Sequence, residues 1–167
     1  IDTLQCHLDK AKNSLVNKRF DLPEKYGVVT LHRPSNVDTL ENLEPLLCAL
    51  TKISAIIPLF FPIHPRTLSR VQEFGLNAFF NWSKYPDASE IGFDQPSSTC
   101  QMYAAPPLGY LDFLNLVANS ALVITDSGGI QEETTYLGIS CVTLRQNTER
   151  PVTVDVGSNY LIGTEPD

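Results

Sequence analysis

A doubly wound, Rossmann-like parallel α/β sheet is the fold class this sequence predicts, and two observations predict it. Short β-rich runs alternate with helical periodicity along the chain, the pattern of consecutive βαβ units. In addition, polar residues of chemical interest fall just after strands: His32, His64, Asp126-Ser127-Gly128-Gly129 and, a little beyond the next strand, Thr148-Glu149-Arg150. Parallel sheets bind ligands outside the carboxyl ends of their strands. All four groups are therefore expected to crowd one edge.

Ile1 to Asn17 sets Leu4, Leu8, Leu15 and Val16 at roughly helical spacing, so residues 1–20 are expected to lead with a helix. Tyr26 to Leu31 is short and β-rich, a buried strand. Asp38 with Glu41 three residues later has the spacing of a capping box and should open a helix carrying Leu43, Leu46, Leu47, Leu50 and Ile53. Ile57 to Ile63 is the second strand. Pro65 suits the first turn of a helix with Leu68 and Val71 that stops near Gly75. Residues 77–101 mix Pro, Asp, Ser and aromatics without period and are expected to be a surface insertion. Strands are then predicted at Met102–Ala105, Ala121–Thr125 and Ser140–Leu144, helices at Tyr110–Asn119 and Gly128–Leu137, and a short last strand at Tyr160–Ile162. No internal repeat interrupts the reading of 1–167 as one domain.

The 167 residues are 43% hydrophobic and 19% charged, enough for one domain with a real core. A net charge of −7 with scattered Lys and Arg argues against a nucleic-acid partner, which needs a clustered basic face. A nucleotide is not excluded, because a few local donors decide that. No apolar run is long enough to span a bilayer, and no signal peptide is read at the start. Cys6, Cys48, Cys100 and Cys141 lack metal or redox spacing; Cys48 and Cys141 are expected as buried free thiols, and the compartment as cytoplasmic. The first residue is Ile, not Met, so a processed or excised chain is expected.

The strongest local signal runs from Val123 to Glu133, where a strand ends, Gly128 and Gly129 follow, and a helix begins. Glycines let a ligand approach the backbone, and the first amides of a helix attract anions. Ser127 can cap the helix or donate to a phosphate; an ordinary turn with a serine cap is the plainer alternative. Neither the GxGxxG nor the P-loop spacing occurs. Glu132 and Glu133 are placed in the first helical turn, where the dipole favours carboxylates, and Glu133 is the candidate for a ribose diol. Arg150 offers a fork for a diphosphate, against a plain salt bridge with Glu149. His32 and Arg33 can meet a phosphate, and His32 can carry a proton near neutral pH. His64 repeats the pattern and can also cap the helix behind it.

Five segments come in one order: His32-Arg33-Pro34-Ser35-Asn36-Val37-Asp38, Phe61 to Thr67, Pro107 to Leu114, Thr125 to Glu133, and Asn147-Thr148-Glu149-Arg150-Pro151. This set resembles the non-hydrolysing UDP-N-acetylglucosamine 2-epimerases of bacteria and archaea. The resemblance implies the C-terminal half of a GT-B-type two-domain fold, with the N-terminal domain and its C2 acid and base residues absent from this chain. By matched motif, it implies that Ser127, Gly128, Gly129 and Arg150 contact the UDP phosphates, Glu133 the ribose, and that Arg33 and His64 line the pocket. His32 would be the one catalytic side chain present. The implied reaction converts UDP-GlcNAc to UDP-ManNAc by elimination and re-addition of UDP, with neither metal nor organic cofactor, in a homodimer when full-length. A GT-B glycosyltransferase using a UDP-sugar, or a UDP-binding module without turnover, are the alternatives.

Overall fold

The computed structural model describes residues 2–86, 88–90, 93 and 100–163. Six strands form one sheet in the order β3-β2-β1-β4-β5-β6, every pairing parallel. They are β1 (Gly27–Thr30), β2 (Leu59–Pro62), β3 (Met102–Ala105), β4 (Leu122–Thr125), β5 (Cys141–Thr143) and β6 (Asn159–Leu161). The chain moves outward from β1 to β3, then returns to place β4 on the other side of β1. The point where the order reverses therefore lies between β1 and β4, and sheets of this kind bind ligands outside the carboxyl ends of the strands there.

Alternation along the strands sorts the core onto two faces. Val29, Leu59, Phe61 and Ile124 pack against α4 (Leu40–Ser54) through Leu43, Leu46, Leu47 and Leu50, and against Val71 of α5 (Pro65–Glu73). Val28, Phe60, Val123 and Cys141 face the other way, toward Leu116 and Val117 of α6 (Tyr110–Ala118). The carbonyl of Leu116 also takes the buried hydroxyl of Tyr26 at 2.8 Å. Gly138, at φ 69°, closes α7 (Gly128–Leu137) in the left-handed conformation that glycine tolerates best.

Several expectations are corrected. The leading helix is broken: α1 (Asp2–Ala11) ends, and a short α2 (Val16–Arg19) follows, with Ser14 Oγ accepting from the Val16 amide at 3.1 Å. Asp38 is not the cap of α4. Thr39 holds that position, and a short α3 (Pro34–Val37) precedes it. The Asp38 carboxylate instead receives the Arg66 fork at 2.9 and 2.7 Å, a cross-element pair that local spacing does not reveal. Cys48 is exposed on α4 because the helix turns its leucine stripe inward and leaves that position outside; Cys141 is buried as expected. Residues 77–101 are not wholly a surface insertion. Phe80, Trp82 and Phe93 enter the core, Trp82 and Phe93 stacking at 4.0 Å, and Asn81 bridges to Tyr103 of β3. Residues 87, 91–92 and 94–99 of that stretch lie outside the described residues.

Gly157 joins α8 (Pro151–Asp155) to β6, and a Cβ there would stand 2.4 Å from the Thr153 carbonyl oxygen and 2.8 Å from Thr135. Backbone cannot yield as a flexible side chain does. Gly157→Ala is expected to cost about 1–3 kcal/mol in urea unfolding; an unchanged midpoint would show that the turn relaxes freely.

Candidate functional site

The site is organised by one buried carboxylate at the reversal point. Asp126, fully buried, follows β4 and accepts from the amides of His32 at 3.0 Å and Arg33 at 2.8 Å and from Asn36 Nδ2 at 3.2 Å. Its other oxygen lies 3.1 Å from His32 Nδ1, and its own carbonyl accepts from Arg33 Nε at 2.9 Å. One aspartate thus ties the loop after β1 to the turn before α7. Burial by itself would raise the Asp126 carboxyl. The bonds from the His32 ring and the Arg33 and His32 amides outweigh it and leave the group lowered. The same ring bond raises His32, against its partial burial and the charge of Arg33.

These two shifts describe one interaction and set a pH window. Asp126, with its folded value below 3.8, stabilises the fold above that pH and ceases to as pH falls through the folded value. His32, with its folded value above 6.5, stabilises the fold fully below pH 6.5 and ceases to as pH rises through the folded value. The stability difference between the parent and His32→Gln is therefore expected to be greatest between pH 3.8 and 6.5. Urea titrations across pH check this, and a difference that grows toward pH 9 would contradict it.

Beside this hub begins α7. Ser127 is its N-cap, with extended backbone and no side-chain cap bond, and Gly128 and Gly129 are its first residues. The Ser127 amide is held by Thr125 Oγ1 at 3.0 Å, and that hydroxyl meets Thr30 Oγ1 at 2.7 Å. The amides of the first helical turn have no intrahelical acceptor and carry the positive end of the dipole. A Cβ on Gly128 would lie 3.7 Å from Arg145 Nη1 and 3.6 Å from Glu149 Oε2, so a guanidinium also borders the helix start. Arg145 is buried and grips Glu149 through 3.0 and 2.8 Å bonds. That bond chiefly drives the Glu149 carboxyl down to about 2.

The loop bearing Arg150 is fixed by α7 itself. Gln131, fully buried, accepts from Thr148 Oγ1 at 2.6 Å and from Asn159 Nδ2 at 3.2 Å. Arg150 pairs with Glu132 at 3.1 Å and not with Glu149, which correction follows from Arg145 taking Glu149. Glu132 and Glu133 stand at the fifth and sixth helical positions, so they belong to the second turn of α7 and not the first. Glu133 is half-buried beside Tyr110, whose hydroxyl lies 3.4 Å away, and burial raises its carboxyl. His64 caps α5, accepting from the Arg66 amide at 3.1 Å, as its position suggested. Its ring is 5.5 Å from that of His32.

The structure thus gathers His32, Arg33, His64 and the Ser127-Gly128-Gly129 turn around Asp126 and Arg145. Arg150 and Glu133 are anchored separately, against Glu132 and Tyr110 of neighbouring elements. Arg145 and Gln131 were not singled out from sequence, and Asp126, placed among the polar residues at strand ends, was given no role of its own. Asp126 had a usable signal, a carboxylate at the exact end of a strand before two glycines. Arg145 and Gln131 had none, because their roles depend on partners brought together by the fold. Cavities of 660 and 460 Å³ lie elsewhere, both bordered by Asp21 and Lys84 and the larger also by Pro106 to Gly109. Among the described residues no cluster of three or more His, Cys, Asp or Glu is arranged to hold a metal ion, and no helix is long and apolar enough to cross a membrane.

A six-stranded parallel sheet whose reversal point carries a glycine-opened helix and an adjacent guanidinium defines a Rossmann-like α/β domain with an anion-receptive edge. Comparison with known proteins narrows the class. Residues 1–167 match the family described as UDP-N-acetylglucosamine 2-epimerase, and the chain belongs to that family. It is 42% identical over 146 residues to the UDP-N-acetylglucosamine 2-epimerase of Methanococcus maripaludis, covering 86% of this chain and 36% of that protein. To the Methanocaldococcus jannaschii enzyme of the same name it is 40% identical over 166 residues, covering 96% of this chain and 41% of that protein. The solved structure of the M. jannaschii UDP-GlcNAc 2-epimerase, in complex with UDP-GlcNAc and UDP, superposes with a TM-score of 0.80 at 37% identity. That superposition covers 99% of this chain and 42% of the neighbour. Such neighbours have the GT-B-type architecture. The chain spans about two fifths of the length of these relatives.

Proposed function

We propose that this domain binds UDP at the start of α7 and supplies the nucleotide-binding half of an epimerase that interconverts UDP-N-acetylglucosamine and UDP-N-acetylmannosamine. The observation that carries the reading is the junction of the Ser127-Gly128-Gly129 turn with His32, Arg33 and Arg145 at the reversal point of the sheet. The diphosphate takes the free amides of α7 and the Arg150 fork. Glu133, raised by burial, receives the ribose hydroxyls, and His32 and His64 border the phosphates. Epimerisation by elimination and re-addition requires UDP to leave as an anion yet stay bound, and preorganised donors of this kind stabilise a developing anion without reorganising.

The complete enzyme contributes the acid and base at C2 from an N-terminal domain and acts as a homodimer in the cytoplasm, feeding cell-surface polysaccharide synthesis. These 167 residues by themselves are expected to bind UDP and turn nothing over, the C2 acid and base lying on the N-terminal domain. Incubating the chain joined to such a domain with UDP-GlcNAc and no acceptor tests the reading. UDP-ManNAc as product supports it. Free ManNAc indicates the hydrolysing reaction, and the absence of both products favours a glycosyltransferase. Glu133→Ala is expected to weaken UDP binding about tenfold, the worth of one hydrogen bond to a charged group. Calorimetry showing parental affinity would remove Glu133 from the site.

A further inference from the structure

His32 and His64 face one another at the sheet edge, their rings 5.5 Å apart and tilted by 40°, yet their Nδ1 atoms play opposite parts. His64 Nδ1 accepts the Arg66 amide at 3.1 Å as the cap of α5, so its proton resides on Nε2. His32 Nδ1 stands 3.1 Å from Asp126 Oδ1, and a carboxylate oxygen can only accept, so that nitrogen bears a proton. We propose that Asp126 is a positioning residue for His32, fixing the proton on Nδ1 and leaving Nε2 as the exchangeable nitrogen, while the cap bond places the proton of the neutral His64 ring on Nε2.

The hub makes the assignment firm. Asp126 is immobilised by the amides of His32 and Arg33 and by Asn36, so its carboxylate cannot rotate away without giving up two part-buried donors and one buried one. His32 is joined to it twice, through its own amide and its ring. The groups that face the His32 ring are Asp126 from the β4–α7 turn, His64 from the start of α5, and Arg33 beside it. Arg145 bears on Asp126, and Glu149 on Arg33. His32 is thus the single imidazole of the pair with a carboxylate partner. Its Nε2 passes from donor to acceptor as the ring loses its proton, whereas neutral His64 keeps its Nε2–H. This division of roles rests on the UDP reading above for its purpose, but the tautomers themselves do not.

Nitrogen-15 NMR of the imidazoles in this chain decides it, with His7→Gln and His64→Gln variants to assign the signals. The expected result is a neutral His32 with Nδ1 protonated and Nε2 bare, and a neutral His64 with the reverse. In Asp126→Asn the His32 midpoint falls and its neutral tautomers mix, while His64 keeps its Nε2 proton, which a general loosening of the fold would not allow. A neutral His32 protonated on Nε2 in the parent overturns the proposal, as does a His32 midpoint that Asp126→Asn does not lower. Should Asp126→Asn not fold, the parent spectrum is decisive by itself. UDP added to the same sample reports separately on the ligand: no shift of any site signal would sink the UDP reading and leave the tautomer assignment standing.

Discussion

Asp126→Ala is expected to remove about 3–5 kcal/mol of folding stability, the cost of breaking a buried charge-assisted network on one side. The truncated side chain would remove the fully buried carboxylate that the part-buried amides of His32 and Arg33 and the buried Asn36 amide group all share. At about 2–4 °C per kcal/mol for a domain of this size, the thermal midpoint should fall by about 10 °C. Asp126→Asn, which keeps one acceptor oxygen, should lose less. A fall of only about a degree for the alanine variant would mean that the loop after β1 is held by something else.

Gly128→Val is expected to leave the fold intact and to lower UDP affinity by about tenfold to a hundredfold. Side chains lean toward the amino end of a helix. A Cβ at 128 would point between the helix start and the Arg145 guanidinium, where it meets only ordinary contacts at 3.6 and 3.7 Å. The exposed Glu149 side chain can move aside for the two methyls. An anion approaching the amides would find that space filled and lose one or more charge-assisted bonds, each worth about 1.5–3 kcal/mol. Thermal unfolding and calorimetry on the same sample separate the two effects. Unaltered affinity would place the diphosphate elsewhere.

What the sequence disclosed follows from which forces are local. The strand–turn–helix run from Val123 to Leu137 was legible because period, glycine pair and terminal Gly138 agree. The parallel sheet was legible too, since each β-rich run sits in its own βαβ unit, whereas the strand order was read only from the structure. Asp38 misled because its spacing to Glu41 imitates a cap, while its real partners, Arg66 and Arg70, arrive from another crossover. Trp82 and Phe93 misled because their burial depends on each other across a stretch with no period to announce it. In the site, His32, Arg33 and the glycine turn were visible at strand ends. The exchange by which Arg145 takes Glu149 and Glu132 takes Arg150 was not, because Glu132 is brought to the Arg145–Arg150 loop by the fold and the four charges can pair in more than one way.

In a structure of this chain with UDP bound, diphosphate oxygens are expected within about 3 Å of the Gly128 and Gly129 amides, with the Arg150 guanidinium turned onto them and the ribose beside Glu133. A nucleotide lodged instead in the cavity between Arg19, Lys84 and Leu108, its phosphates remote from α7, would contradict that placement.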